Sequence, residues 1–225
     1  MNIESIKQNK LHFILSFSVP SIVAMLLQTV ITITDGYFTG NYVGESAIAA
    51  INLGLPVLYL YLGIGLCVGG GGSVICAGLL GAKERKKASE IFSQTMVSAV
   101  IACVITSVVV FVLFTPILRV LKADGALSGY FTEYYRIMLF AYPMMLLGTV
   151  FGMFIRADGK PQICMFVGIS SCALNGLLDW YFVAVMNMGI RGSAIATLLV
   201  QIVSVLVQLI FLEPECWNTV LSFCI

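Results

Sequence analysis

Long apolar stretches separated by short polar breaks dominate the chain. Read in windows of about 19 residues, the pattern marks six runs, at residues 11–40, 47–80, 88–118, 130–155, 161–186 and 189–212. Each reaches or exceeds the roughly 20 residues that an α-helix needs to cross a bilayer, so tilted or kinked spanning helices are predicted. Pro20, Pro56 and Pro143 fall inside runs and are the expected kink positions, whereas Pro116 and Pro161 fall at ends, where a missing N–H costs little. The fold class that follows is an all-α integral membrane protein with six transmembrane helices.

Composition agrees and narrows the field. Of 225 residues, 60% are apolar and 10% charged, which excludes a water-soluble globular domain and leaves no room for one beside the spans. Twelve Lys and Arg against eleven Asp and Glu provide neither a basic face for nucleic acid nor an acidic tail. The seven cysteines form no CxxC pair, and Cys67, Cys76, Cys103, Cys164 and Cys172 lie within apolar runs, as small packing residues do. The polar residues 1–10 precede a first run too long for a signal-peptide core, so that run is expected to remain as a span.

The basic residues set an orientation. Lys7, Lys10, Lys83, Arg85, Lys86, Lys87, Arg156 and Lys160 fall on one side, against Arg119, Lys122 and Arg191 on the other. Cytoplasmic loops retain Lys and Arg, which places both termini in the cytoplasm of a plasma-membrane protein. Arg136 lies near the outer end of the fourth run, where Tyr134 and Tyr135 fit either interfacial anchors or the wall of an outer vestibule. Glycines crowd the second run, and the spacings Gly65/Gly69 and Gly148/Gly152 suit close helix packing or a helix able to bend and slide. No Gly-Lys-Ser/Thr follows them, so a phosphate loop is excluded.

Two carboxylates remain inside the spans, Asp35 and Asp179. An acid facing lipid costs about 2.5–3.5 kcal/mol, so such residues turn toward a cavity or a partner. Asn175 precedes Asp179 by four residues and shares its helical face. Counted from the outer ends of their runs at 1.5 Å per residue, Asp35, Asp179 and Thr197 all lie ~10–12 Å deep. The layer suits a hard cation with oxygen ligands or a proton shared between carboxylates. Simpler readings compete: Asp35-Gly36 as a turn cap, Asn175 as an interhelical hydrogen-bonding residue, and Thr197 bonded to its own backbone. An intramembrane enzyme is disfavoured because His12, the only histidine, stands at the membrane edge, leaving an aspartyl dyad as the sole formal alternative.

Phe17-Ser18-Val19-Pro20 through Asp35-Gly36-Tyr37-Phe38-Thr39-Gly40, then Val43-Gly44 and Ala47-Ile48-Ala49-Ala50, resemble the first helix and loop of the multidrug and toxic compound extrusion (MATE) transporters. Leu174-Asn175-Gly176-Leu177-Leu178-Asp179 resembles the family's Leu-Asn-x-x-Leu-Asp stretch, and Gly189 through Thr197 its Gly-x-x-Gly-x-Ala-x-Ala-Thr signature. The loop from Gly81 to Ala88 is similar as well. The resemblance implies that residues 11–212 form one six-helix lobe of a twelve-helix transporter. It implies further that Asp35, Asn175, Asp179 and Thr197 bind the coupling ion, Na+ or H+, with no other cofactor, and that Pro20 is a conformational hinge. Inward movement of the ion would drive outward movement of cationic or amphipathic small molecules. The partner would be a second lobe or a second copy of the chain. A lipid-linked oligosaccharide flippase of the same fold and an inactive half-transporter remnant are the alternatives. The sequence departs from the family pattern at Trp180, where many members have proline, and in residues 213–225, an atypical tail expected from truncation or a frameshift.

Overall fold

A computed structural model of the chain describes the backbone of residues 10–120 and 126–211, and the side chains of 14–113 and 128–211. The expected N-terminal residue Lys7, the loop residue Lys122 and the tail 213–225 lie outside the described residues, as do the side chains of Lys10, His12, Pro116 and Arg119. Every element among the described residues is helical: α1 (Lys10–Tyr42), α2 (Glu45–Leu53), α3 (Leu55–Gly81), α4 (Arg85–Val120), α5 (Ala126–Ala157), α6 (Pro161–Asp179), a π-helical turn (Trp180–Val185) and α7 (Ile190–Phe211). Six segments are long and apolar enough to cross a membrane, with α2 and α3 together making the second.

The split between α2 and α3 corrects the expectation that Pro56 kinks one continuous helix. Pro56 occupies the first turn of α3, where its missing N–H needs no partner. The break falls at Gly54, whose N–H donates to Ile51 O at 3.0 Å. The Tyr135 hydroxyl donates to the same carbonyl at 3.2 Å. A Cβ at residue 54 would overlap the Tyr135 ring and hydroxyl, so only glycine admits this tyrosine. Pro20 and Pro143 do lie inside α1 and α5.

Helix α5 is the axis of the lobe. It packs on α3, α4, α7 and α2, while α1 leans on α6 and α6 on α7. Half of the most apolar window of α5 is buried, against 11% of that of α1. Lipid tails are as apolar as the side chains, so these contacts form through close packing rather than escape from water. Phe92 and Phe154 meet edge to face at 4.9 Å between centroids, and Tyr61 lies 5.5 Å from Tyr142. The glycines of α3 divide by face. Gly65 and Gly69 are buried against the backbone of α5, where a Cβ at Gly69 would stand 3.0 Å from the Val150 Cα; Gly70 and Gly71 face open space. A Cβ at Gly148 would meet Val205 of α7 at 3.5 Å, an ordinary contact, and one at Gly152 would reach Cys164 only at 4.0 Å. Close packing is therefore the role of Gly69 and, at 3.4 Å from the Leu146 carbonyl, of Gly65.

Candidate cation site

Helix α1 is mostly exposed, but at one end Ile31, Asp35 and Thr39 form a buried stripe at four-residue spacing. The stripe turns toward α6 and α7, and it carries the only acid of α1 inside the lobe. α1 continues seven residues past Asp35 to Tyr42, which removes the reading of Asp35 as an exposed cap. On α6 the buried polar positions are Asn175 and Asp179, and on α7 they include Ser193 and Thr197. Thr197 stands seven residues from the start of α7 at Ile190, matching the seven between Asp35 and Tyr42. Antiparallel packing therefore sets the two side chains at one level, ~10 Å below the helix ends.

The contact itself is direct. Thr197 Oγ1 lies 3.3 Å from Asp35 Oδ2 and 3.1 Å from the carbonyl of Ser193. A hydroxyl has one proton, and both distances exceed the usual 2.7–2.8 Å, so neither acceptor is tightly held. Asp179, Asn175 and Thr197 are the polar neighbours of Asp35. Asn175 and Asp179 are wholly enclosed, Asp35 and Thr197 nearly so. Thus the structure brings four of the sequence-predicted residues together and leaves out the fifth. Pro20 is fifteen residues from Asp35 on the same helix, roughly 22 Å away.

The arrangement is electrostatically incomplete. Asp35 Oδ1, both oxygens of Asp179 and both polar atoms of the Asn175 amide make no hydrogen bond of good geometry, although Asp179 and Asn175 lie beside Asp35. Two ionised carboxylates held as neighbours repel, by about 4 kcal/mol for unit charges ~4 Å apart at an effective dielectric constant near 20. Among the described residues no ion pair joins a guanidinium or ammonium to either acid. The described ion pairs are peripheral: Arg191 with Glu133 at 2.9 Å, Lys87 with Glu84 at 2.6 Å and Lys160 with Asp158 at 2.7 Å. A monovalent cation or a proton would offset such a pair. Among the described residues no three His, Cys, Asp or Glu side chains cluster, so a thiolate or imidazole metal centre does not fit.

Three further residues adjoin this place. Thr39 and Ser193 are fully buried with unpartnered hydroxyls, and each is one helical turn from a predicted residue, a relation the sequence already contained. Tyr134 is the third. It is 4% exposed and interacts electrostatically with both Asp35 and Asp179. Tyr134 and Tyr135 are consequently interior residues, not interfacial anchors, because they lie on the face of α5 that packs against the neighbouring helices, whereas Phe140 on the other face is exposed. Only Arg136 of that trio is exposed. No pattern within α5 alone distinguishes its two buried tyrosines from membrane-surface ones.

Asp179 ends the regular part of α6. The backbone then widens into the π-helical turn, in which Met186 N–H reaches Tyr181 O at 2.9 Å. Trp180 opens this turn and donates its backbone N–H to Gly176 O. Proline could not make that bond, which gives the departure at this position a local meaning. Such widened turns recur at functional sites.

The MatE family pattern matches residues 20–181. The chain belongs to the MatE family. Multidrug export protein MepA of Staphylococcus haemolyticus is 30% identical over 207 residues, covering 92% of this chain and 45% of that protein. MepA of Staphylococcus aureus strain MRSA252 is 28% identical over 195 residues, covering 87% and 43%. Among solved structures, a MATE protein in its bent conformation superposes with a TM-score of 0.83 at 24% identity, over 90% of this chain and 45% of that one. An outward-facing multidrug resistance MATE transporter gives 0.82 at 22% identity, over 93% and 50%. At these identities the structural likeness establishes the fold. The chain is a multi-pass membrane protein with the fold of a MatE lobe, and it spans about half the length of the curated relatives it matches.

Proposed function

We propose that this MatE chain is the cation-binding lobe of a multidrug exporter, in which inward movement of Na+ or H+ drives outward movement of cationic or amphipathic compounds. The observation that carries the reading is the pair of buried carboxylates, Asp35 and Asp179, with oxygens left unpartnered and, among the described residues, no ion pair to a basic side chain. In the bilayer such a pair is stable only with a positive charge between its members, so occupancy by the ion biases the lobe toward one of two packings. The ends at Tyr42 and Ile190 face the outside in this reading, with both termini in the cytoplasm of a plasma-membrane protein. Residues 11–212 constitute the lobe, Pro20 is its hinge, and a second lobe completes the transport chamber. Multidrug export is the printed function of the MepA relatives, which supports the substrate class.

The same fold also suits a lipid-linked oligosaccharide flippase. A flippase needs basic groups for its pyrophosphate, and the described ion-paired basic residues stand at the helix ends, which favours the exporter. The test is cation-driven efflux of a cationic dye from vesicles holding the chain with a complete partner lobe. Asp179→Asn is expected to abolish the cation dependence. Undiminished cation-driven efflux in that variant overturns the proposal.

A further inference from the structure

Helical hydroxyls in this protein follow one habit. Ser93, Thr95, Ser98, Thr106, Thr132 and Thr149 each donate to the carbonyl four residues back, at 2.7–3.0 Å. Thr39 and Ser193 break it: both are completely buried, and neither hydroxyl oxygen has a partner. Their placement is related. Asp35 and Thr197 touch across α1 and α7. Four residues from Asp35 toward the end of α1 is Thr39; four residues from Thr197 toward the start of α7 is Ser193. Because the two helices run antiparallel, both steps lead the same way, and each side chain stays on the face of the residue it follows. Thr39 and Ser193 therefore form a second polar level ~6 Å from the acidic pair. Each lies three residues from its helix end, between the acids and the connections at 43–44 and 186–189.

Two neutral hydroxyls on the approach to a carboxylate pair are oxygen ligands without a competing donor, which is what a cation shedding its water requires. We propose that Thr39 and Ser193 form an outer station that binds a partly hydrated monovalent cation, Na+ or hydronium, as it passes between the outer solution and Asp35/Asp179. The proposal rests on the cation-coupling reading above. The outer station sets the rate of exchange, whereas the acidic pair sets the affinity. Arg191, two residues from Ser193, is ion-paired with Glu133, and Glu45, six residues beyond Thr39, opens α2.

Trp180 provides the measurement, since it adjoins Asp179 and only two tryptophans exist in the chain. With Trp217→Phe as the parent, Trp180 fluorescence in detergent is followed in stopped flow after jumps in Na+ at constant pH, and after pH jumps without Na+. Occupancy is measured separately by 22Na+ retention and by proton uptake with a pH dye. The arm that responds in the parent identifies the ion. Thr39→Val with Ser193→Ala is expected to slow the responding arm about tenfold while the equilibrium affinity stays within about threefold. Thr39→Ser with Ser193→Thr, which keeps both hydroxyls, restores the rate. Parent-like kinetics in the Val/Ala variant, with occupancy intact, overturn the outer station and leave the coupling site standing. A parent that takes up neither ion overturns the coupling reading, and the station with it. Loss of affinity together with rate assigns the hydroxyls to the inner site and also overturns the station.

Discussion

Replacing Gly69 by alanine isolates what the close approach of α3 and α5 is worth. The added methyl would stand 3.0 Å from the Val150 Cα, 3.3 Å from its Cγ2 and 3.4 Å from its Cβ. Carbon atoms rest at about 3.5–4.0 Å, so the helices must part by about 0.5–1 Å, and a backbone Cα cannot rotate out of the way. A gap of that size forfeits a quarter to a half of each contact along the interface, and overpacking of this kind costs about 1–3 kcal/mol. Alanine recovers about 1 kcal/mol of helix propensity over glycine, so the net loss is about 0–2 kcal/mol. At Gly70, one residue on, nothing lies within 4 Å of the added methyl, and the same substitution retains its propensity gain. The two variants should consequently move in opposite directions. Thermal melting in detergent, read by a fluorescent tag on size exclusion, should fall by up to about 8 °C for Gly69→Ala and rise by about 2–4 °C for Gly70→Ala. Equal melting temperatures would refute the assignment of the buried glycines to close packing, and would leave the α3 glycines as elements of bending alone.

Other perturbations read the site and its supports. Gly54→Ala should prevent stable folding, because the new methyl overlaps the Tyr135 ring; combining it with Tyr135→Ala should recover the monodisperse protein, and a double variant no better than the single one argues against that contact. Adding the coupling ion at 100 times its Kd should stabilise the chain by about 2.7 kcal/mol, and Asp179→Asn should remove the melting shift; a retained shift places the ion elsewhere. Thr39→Val deletes a buried hydroxyl without a partner, so the chain should melt at the same temperature or higher, up to about 1–3 kcal/mol more stable, even as ion exchange slows. Tyr135→Phe loses one hydrogen bond to Ile51 O and should cost about 1 kcal/mol in chemical denaturation, an effect absent if that carbonyl is satisfied by Gly54 alone.

Much of the site was legible before the fold. Asp35 and Asp179 stood out because an acid in an apolar run is rare, and the four-residue step to Asn175 needed only helical geometry. Depth counted along each run placed Thr197 level with Asp35, and the 3.3 Å contact agrees. Thr39 and Ser193 were reachable by the same step but carried no separate signal, since isolated Ser and Thr are ordinary in membrane helices. For Tyr134 an interfacial anchor and a vestibule wall were both legible. Aromatic residues near a helix end look interfacial until the neighbouring helices are known, and Tyr134 lies on the packed face of α5.

Sequence alone determined the membrane setting, the six spans and the two acids, because the bilayer admits only backbones that satisfy their own hydrogen bonds and excludes charge that lacks a purpose. Local chemistry announced Pro161 as a helix start, but misjudged Pro56, whose role depends on a tyrosine 79 residues away filling the space that Gly54 leaves. Which helix stands at the centre, which glycines touch backbone and which oxygens go without partners were decided only when the helices packed. Those properties belong to pairs of helices distant in sequence, and no periodicity within one helix records the identity of its neighbour.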